Sequence, residues 1–532
     1  MSDGVVLVGL SGSGKSTIGR SLARVLGRPF VDTDELIARE GPGEGDAGAR
    51  LRSLGEATFR AAETRAIGQA VAVGGAVVAT GGGALDDPLN RWRLWEHGDV
   101  VWLDAPDAAL LERVAGDPVK RPLLETDPVE AMAILRVQRE PFYRAADVTV
   151  DATPPAARVV RGLAPQLSRE RPRGARPRRL LDARVPRHHP MGGQTARVVF
   201  GRGMARQVTS ELVRDLEGNP VWIVDRIVAS LAASSDSRTL QLRGGERSKR
   251  TSTLERLIAW MADLQVERSD PLVAIGGGTI SDLAGLAAAL YARGMPWVAV
   301  PTTWLAASDA ALGGKVAIDL AGAKNMVGAF WPPSGVIADV EVLRSLPPRH
   351  ARNGLAEAIK AALIADPKLW QLIESRGREA MRGGEAARYA IIERAARVKL
   401  AIVQRDPFET GERRVLNLGH TVGHALEVVT GYRLAHGQAV VLGLLAAARL
   451  AAGRDGDREL GPRLGELVSG LGFATSQSAD RSAVLRALTG DKKRKAGKQR
   501  WILPMAVGQV VEVDDITDRE LDAALRGIGI SA

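Results

Sequence analysis

The 532-residue chain has no cysteine. That excludes disulfides, thiolate metal sites and thiol nucleophiles, and it leaves histidine, aspartate and glutamate to hold any metal. Histidine is scarce as well, with seven in all. Long apolar runs are missing: the most apolar helical stretch, AVVLGLLAAARLAA, meets Arg449 too soon to span a bilayer. The opening residues, MSDGVVLVGLSGSGKS, have neither a basic start nor a long apolar core, so no secretory signal is expected. The expectation is a cytoplasmic protein without a membrane partner.

What is present describes a globular chain, 45% hydrophobic and 25% charged. Its length calls for two to four domains. The net charge of +10 suggests nucleic acid until its distribution is read. Residues 168–187, SRERPRGARPRRLLDARVPR, hold eight arginines against one glutamate and one aspartate, an excess of +6. Rich in Pro and Arg and without an apolar period, the stretch reads as an exposed tether. No nucleic-acid partner is expected.

Before the tether, VVLVGL, AVVATGGG and DVVWLDAP read as buried parallel strands alternating with helices. After it, PVWIVD, PLVAIGGGT and PWVAVPTT repeat that pattern. Beyond Pro348 long Ala/Leu-rich helical patterns dominate until RWILPMAVGQVVEV near the end.

Gly9-LSGS-Gly14-Lys15-Ser16 follows a strand and opens the helical stretch STIGRSLARVL. Successive backbone N–H groups over Gly12, Ser13 and Gly14 can face a phosphate, with Thr17 just inside the helix. Lys15 reaches the β- and γ-phosphates and Ser16 can hold Mg²⁺. FVDTDELIARE places Asp32 and Asp34 after the second strand, where a period of two points them the same way. Such a pair can divide metal binding from proton acceptance. Arg60 in GEATFRAAE, Gly81–Gly83 in ATGGG, Arg121 in KRPLL and Arg139 in REPFYRAAD follow in order.

This ordered set closely resembles shikimate kinase over roughly residues 4–165. The resemblance implies that ATP and Mg²⁺ bind at the loop, with Asp32 supporting the metal and Arg121 supplied by a lid. It implies that shikimate meets Asp34, Arg60, Gly82 and Arg139, the guanidiniums holding its carboxylate. Asp34 would orient or deprotonate the reacting hydroxyl. Leu51 departs from the family's usual aromatic residue.

In the C-terminal two-thirds, LNLGHTVGHALE spaces His420 and His424 four residues apart, on one helix face. His436 follows, three histidines within seventeen residues. Glu357 and Lys360 share a face in GLAEAIKAAL. Two histidines and a carboxylate make a plausible catalytic Zn²⁺ site with positions open to substrate. Thr421, Val422 and Gly423 separate the first pair, so this is not the H-E-x-x-H of metalloproteases. Lysines beside glycines in GGERSK, ALGGK and GAKNMVGAF suit a polyanionic substrate with a dinucleotide.

Across roughly 195–515 the motifs G-G-G-x-x-x-D, P-T-T-x-L-A, D-x-x-x-G-G-K, N-G-x-x-E-x-I-K, E-x-G-x-R, L-N-x-G-H-T-x-G-H-x-x-E, H-G-x-A-V and D-K-K resemble 3-dehydroquinate synthase. That resemblance assigns Zn²⁺ or Co²⁺ to Glu357, His420 and His436. It assigns NAD⁺ to Asp225, Glu246, Lys249, Gly277, Gly278, Asp282, Thr302 and Thr303, with Lys315 and Lys324 at the cofactor's edge. Substrate contacts would be Arg293, Asp309, Lys315, Lys324, Asn325, Asn353, Lys360, Lys399, Arg413 and Asn417, with Lys492 or Lys493. His424 would move protons, assisted by Lys360, and Glu409 is a further acid/base candidate. Two departures stand out: Ile227 where the family has Asn, and Ala310-Ala311 where it has Ser-Ser.

Together these imply an α/β chain. A P-loop kinase domain with a parallel sheet and flanking helices spans 1–165. A basic linker spans 166–190, a Rossmann-like NAD-binding domain 191–348 and a mostly α-helical metal-binding domain 349–532. The implied function is bifunctional: phosphorylation of shikimate, and cyclisation of 3-deoxy-D-arabino-heptulosonate 7-phosphate with release of phosphate. The partners would be these small molecules and a second copy, paired through the synthase part. The competing reading keeps the fold but makes the C-terminal part another sugar-phosphate cyclase or a polyol dehydrogenase, and the P-loop part a nucleotide-sensing regulator.

Overall fold

The computed structural model describes residues 4–40, 46–117, 121–167, 177–188, 194–232, 237–320, 323–489, 494–495 and 498–531. Lys492 and Lys493 lie outside them. The chain forms two compact units. One holds Met1–Arg184 with Val198–Met204, and the other Val185–Arg197 with Ala205–Ala532.

The first unit is built on strands β1 (Gly4–Val8), β2 (Phe30–Asp32), β3 (Val77–Ala79), β4 (Gly98–Asp104) and β5 (Val148–Asp151). They pair in parallel in the order β2-β3-β1-β4-β5. The apolar runs of β1, β3 and β4 are buried throughout but for Asp104 at the end of β4, as strands covered by helices on both faces require. The chain leaves β1 to one side for β2 and β3 and to the other for β4 and β5. The crevice past the end of β1 is therefore a topological switch point, where α/β sheets bind ligands. The glycine-rich loop lies there, followed by helix Lys15–Leu26.

In the second unit β8 (Val221–Asp225), β9 (Thr239–Leu242), β10 (Leu272–Gly276), β11 (Trp297–Pro301) and β14 (Gly335–Asp339) form the parallel part of a seven-stranded sheet. Its order within the second unit is β14-β11-β10-β8-β9, and the strands β6 (Arg178–Arg187) and β7 (Gln194–Arg202) each have residues in both units. β12 (Lys315–Leu320) and β13 (Ala323–Phe330) form a separate antiparallel ribbon. From Pro348 helices take over, until the hairpin of Trp501–Ala506 and Gln509–Val513. The sheet from Val221 on and the helices that follow fall in one compact unit.

Two expectations need correction. Residues 178–187 are a strand, not a tether, and Leu180, Leu181, Asp182, Val185 and Arg187 are buried. Arginine-rich composition hid a strand whose apolar residues are few but inward. Asp32 and Asp34 do not alternate along a strand. β2 ends at Asp32, and Asp34 lies in the first turn of helix Thr33–Arg39. Asp32 caps that helix, accepting the Asp34 N–H at 3.0 Å.

Candidate active sites

In the first unit Gly9, Gly12 and Gly14 all have positive φ, between 82° and 146°. This conformation, open to glycine, lets successive backbone N–H groups face inward, as an anion would require. Lys15 folds back, donating to the carbonyls of Gly9 at 2.9 Å and Leu10 at 3.0 Å. Burial lowers its pKa to about 8. Ser13 is fully buried, while Ser16 and Thr17 open the helix. Arg121 pairs with Asp117 at 3.1 Å and lies close enough for its charge to bear on Lys15.

Asp34 faces the same crevice. Burial, then the charge of Asp32, raises its pKa. A Cβ at Gly81 would stand 2.7 Å from the Asp34 carboxylate, so that glycine is what admits the acid. Arg60 donates to Glu63 at 2.8 Å, and Arg139 to Asp86 at 3.1 and 3.3 Å. Tyr143 donates to the Gly82 carbonyl at 3.1 Å. The expected residues thus converge. Glu63 and Asp86 were missed, although Glu63, three residues after Arg60 on one helix, was legible as its partner.

In the second unit β10 runs into Gly277, and helix Gly278–Leu290 starts there. Thr302 donates its N–H to the Gly276 carbonyl at 2.9 Å, and Thr303 caps helix Trp304–Ser308. Lys249 is paired with Asp282 at 2.6 Å and also meets Asn325. Burial lifts Asp282 to about 6 against the pull of Lys249. Asp225 accepts the Ile227 N–H at 3.2 Å, and Ile227 itself is 88% exposed. The Ala310 departure lies beside this site: a Cβ at Gly278 would touch its methyl at 3.4 Å.

One ligand atom each from Glu357, His420 and His436 lie within 4.8 Å of one another. Helix Pro348–Ala365 supplies the buried carboxylate, helix His420–Val429 one imidazole, and helix His436–Ala452 the other. His436 Nε2 is 3.2 Å and His420 Nε2 3.5 Å from Glu357 Oε1. His420 Nδ1 donates to the Leu418 carbonyl at 3.1 Å, which fixes the ring with Nε2 as the nitrogen that faces Glu357. Burial opposes protonation of His436, but Glu357 and Glu427 raise its pKa to about 9. The cluster therefore calls for positive charge, and its donors suit Zn²⁺ or Co²⁺.

His424 packs its ring edge-on to His420, with centroids 5.1 Å apart, and is not part of the ligand cluster. Around it, Lys360 pairs with Glu357, and Lys399 with Asp309 at 2.6 Å. Lys315 pairs with Glu409, which accepts from Asn417 at 2.9 Å. Lys324 lies 3.3 Å from Glu427 and 3.6 Å from Glu246. Asn353 accepts the Gly437 N–H at 3.0 Å, fixing the turn after His436. Arg413 donates to the carbonyls of Pro407 and Gly313. Arg293 has a left-handed backbone, φ 63°, and no hydrogen bond or ion pair among the described residues ties it to this network. Glu427 and Asp406 were missed. Glu427 closes the histidine motif, and Asp406 accepts N–H groups of Thr410, Gly411 and Arg413 at 2.7–3.0 Å.

Residues 239–353 and 354–494 match the N-terminal and C-terminal domains of 3-dehydroquinate synthase. A 3-dehydroquinate synthase from Symbiobacterium thermophilum is 36% identical over 345 residues, 62% of this chain and 96% of that protein. The chain belongs to the 3-dehydroquinate synthase family. Residues 11–166 match shikimate kinase, so a kinase domain precedes the synthase part. That synthase part is also similar to a 2-epi-valiolone synthase from Actinosynnema mirum, 38% identical over 332 residues, 59% of this chain and 87% of that one. Among solved structures, a 2-epi-5-epi-valiolone synthase from Streptomyces hygroscopicus with NAD⁺ and Zn²⁺ bound is 28% identical, with a TM-score of 0.59. It covers 64% of this chain and 99% of that chain. No helix among the described residues is long and apolar enough to cross a membrane.

Proposed function

We propose that the chain is a bifunctional enzyme, phosphorylating shikimate with ATP and Mg²⁺ in its first unit and making 3-dehydroquinate in its second. The observation that carries the synthase reading is the split of the histidines. His420 and His436 converge with Glu357, while His424 stands beside them and outside the ligand set. A bound Zn²⁺ or Co²⁺ would acidify a coordinated hydroxyl, and bound NAD⁺ would take up and return a hydride.

The chain's own residues do the rest. His424 carries protons beside the metal face, with Lys360 and Glu409 at hand. Lys315, Lys399, Arg413, Asn417 and Arg293 receive the substrate's phosphate and carboxylate. Lys249, Asp282, Glu246 and the Gly277–Gly278 helix start hold the dinucleotide. In the kinase unit Lys15, Ser16, Asp32 and Arg121 hold nucleotide and metal, and Asp34 accepts the proton of the attacking hydroxyl.

A second reading, a cyclase acting on a ketose phosphate without a carboxylate, is favoured by the likeness to the valiolone synthases. Phosphate release from 3-deoxy-D-arabino-heptulosonate 7-phosphate, compared with such a ketose phosphate, separates the two. Release from the second alone would overturn the dehydroquinate assignment. ADP formation that does not depend on shikimate would turn the first unit into a nucleotide sensor. Pairing of two copies through the synthase part and a cytoplasmic setting belong to the same proposal, and the mass of the chain in solution tests the first.

A further inference from the structure

Arg139 is a buried cation, 4% exposed, and a guanidinium cannot shed its charge. A buried charge is tolerated when it is paired. Asp86 supplies that pairing with both oxygens, at 3.3 Å from Nε and 3.1 Å from Nη2. Its Oδ2 also lies 3.9 Å from Nη2 of Arg60. One carboxylate oxygen thus sits between the two guanidiniums to which the likeness to shikimate kinase gives one substrate carboxylate.

The two arginines differ in what else they have. Arg60 is held by the buried Glu63 at 2.8 Å, so it keeps a counter-ion whatever Asp86 does. The neighbouring aspartates differ too. Asp87 caps helix Pro88–His97, accepting from Leu89 N–H at 2.7 Å and Asn90 N–H at 3.3 Å. Among the described residues the Asp86 side chain caps no helix, and it is 40% exposed, so it can turn to water with little loss of hydration.

We infer that Asp86 is a built-in stand-in for the substrate's carboxylate: it neutralises Arg139 in the empty site and is displaced when shikimate binds. It thereby sets shikimate affinity. This rests on the kinase reading above. A site mostly closed by its own side chain loses apparent affinity in proportion to the open fraction. Freeing it from a stand-in engaged most of the time tightens binding by about three- to ten-fold.

The experiment uses the full chain, with shikimate binding by calorimetry and steady-state ADP formation. Asp86→Asn is expected to lower the Kd and KM for shikimate about three- to ten-fold, with KM for ATP unmoved. Its melting temperature without ligand falls, and the rise on adding shikimate exceeds that of the wild type. Asp86→Glu keeps the charge within reach and is expected to bind as the wild type does. Asp86→Ala repeats the measurement should the Asn variant fold poorly. Unchanged or weaker shikimate binding in Asp86→Asn and Asp86→Ala would overturn the inference alone, making Asp86 a positioning residue. A wild-type chain that neither binds shikimate nor forms ADP with it overturns the kinase reading, and the inference with it.

Discussion

Nδ1 of His436 lies 3.5 Å from the Glu427 carboxylate, while the other ring nitrogen faces Glu357. A carboxylate behind a metal-binding histidine fixes the tautomer and raises the basicity of the ligating nitrogen. Glu427→Gln keeps the shape and removes the charge. It is expected to weaken metal retention about 10- to 100-fold. Titration with Co²⁺, followed by the visible spectrum, measures this without turnover. Equal affinity in variant and wild type would remove Glu427 from the metal's support.

The adjacent histidines should separate cleanly. His420→Ala removes a ligand and is expected to yield protein with little bound metal. His424→Ala leaves the three donors in place, so metal content should persist while synthase turnover falls about 100-fold or more, the usual weight of a lost general acid/base. Metal analysis beside a phosphate-release assay checks both. Loss of metal in both variants would mean that His424 is a ligand.

Two pH effects belong to the kinase unit. Lys15 has a pKa lowered to about 8 because burial disfavours its charge. Nucleotide phosphates favour that charge, so binding at pH 8 should take up about half a proton. Calorimetry in buffers of different ionisation enthalpy reads the uptake, and proton release would contradict the assignment. Asp34 is raised, by burial first and Asp32 second. It must be ionised to accept a proton. The acid limb of kcat/KM should therefore lie above the ordinary carboxylate range, and Asp32→Asn should move it to lower pH.

Asp406 holds the turn that carries Glu409 and Arg413. Burial opposes its ionisation, but the N–H groups of Arg413, Thr410 and Gly411 outweigh that and bring its pKa to about 2. With the folded value below the ordinary one of about 4, its stabilisation is complete above pH ~4 and lost as pH falls toward 2. Asp406→Asn is expected to cost about 1–3 kcal/mol at neutral pH, with the gap to wild type closing in acid. Denaturant unfolding at pH 7 and pH 3 checks it. The left-handed Glu409, φ 59°, would lose its support, and synthase activity should fall with stability.

Much of the chemistry was legible in the order of residues. The phosphate loop needs glycines, a lysine and a serine at fixed spacing next to a strand, and these are local requirements. His420 and His424 share a helix face because four residues make about one turn. Parallel strands declare themselves as unbroken apolar runs because both faces are covered. The strand at Arg178–Arg187 did not, since its ten residues mix four arginines with the buried Leu180, Leu181 and Val185, and composition spoke louder than pattern.

What the sequence alone determined was the set of chemical groups and the local turns and helices that carry them. Only the tertiary structure decided which charges meet. Glu357 is 63 residues from His420 and 79 from His436, yet packing of three helices puts their ligand atoms together. Asp86 reaches Arg139 across 53 residues, and Lys324 reaches Glu427 across 103. Helical and strand periods fix direction within an element, but distances between elements come from how apolar faces pack. A buried charge then takes whichever partner that packing brings within reach.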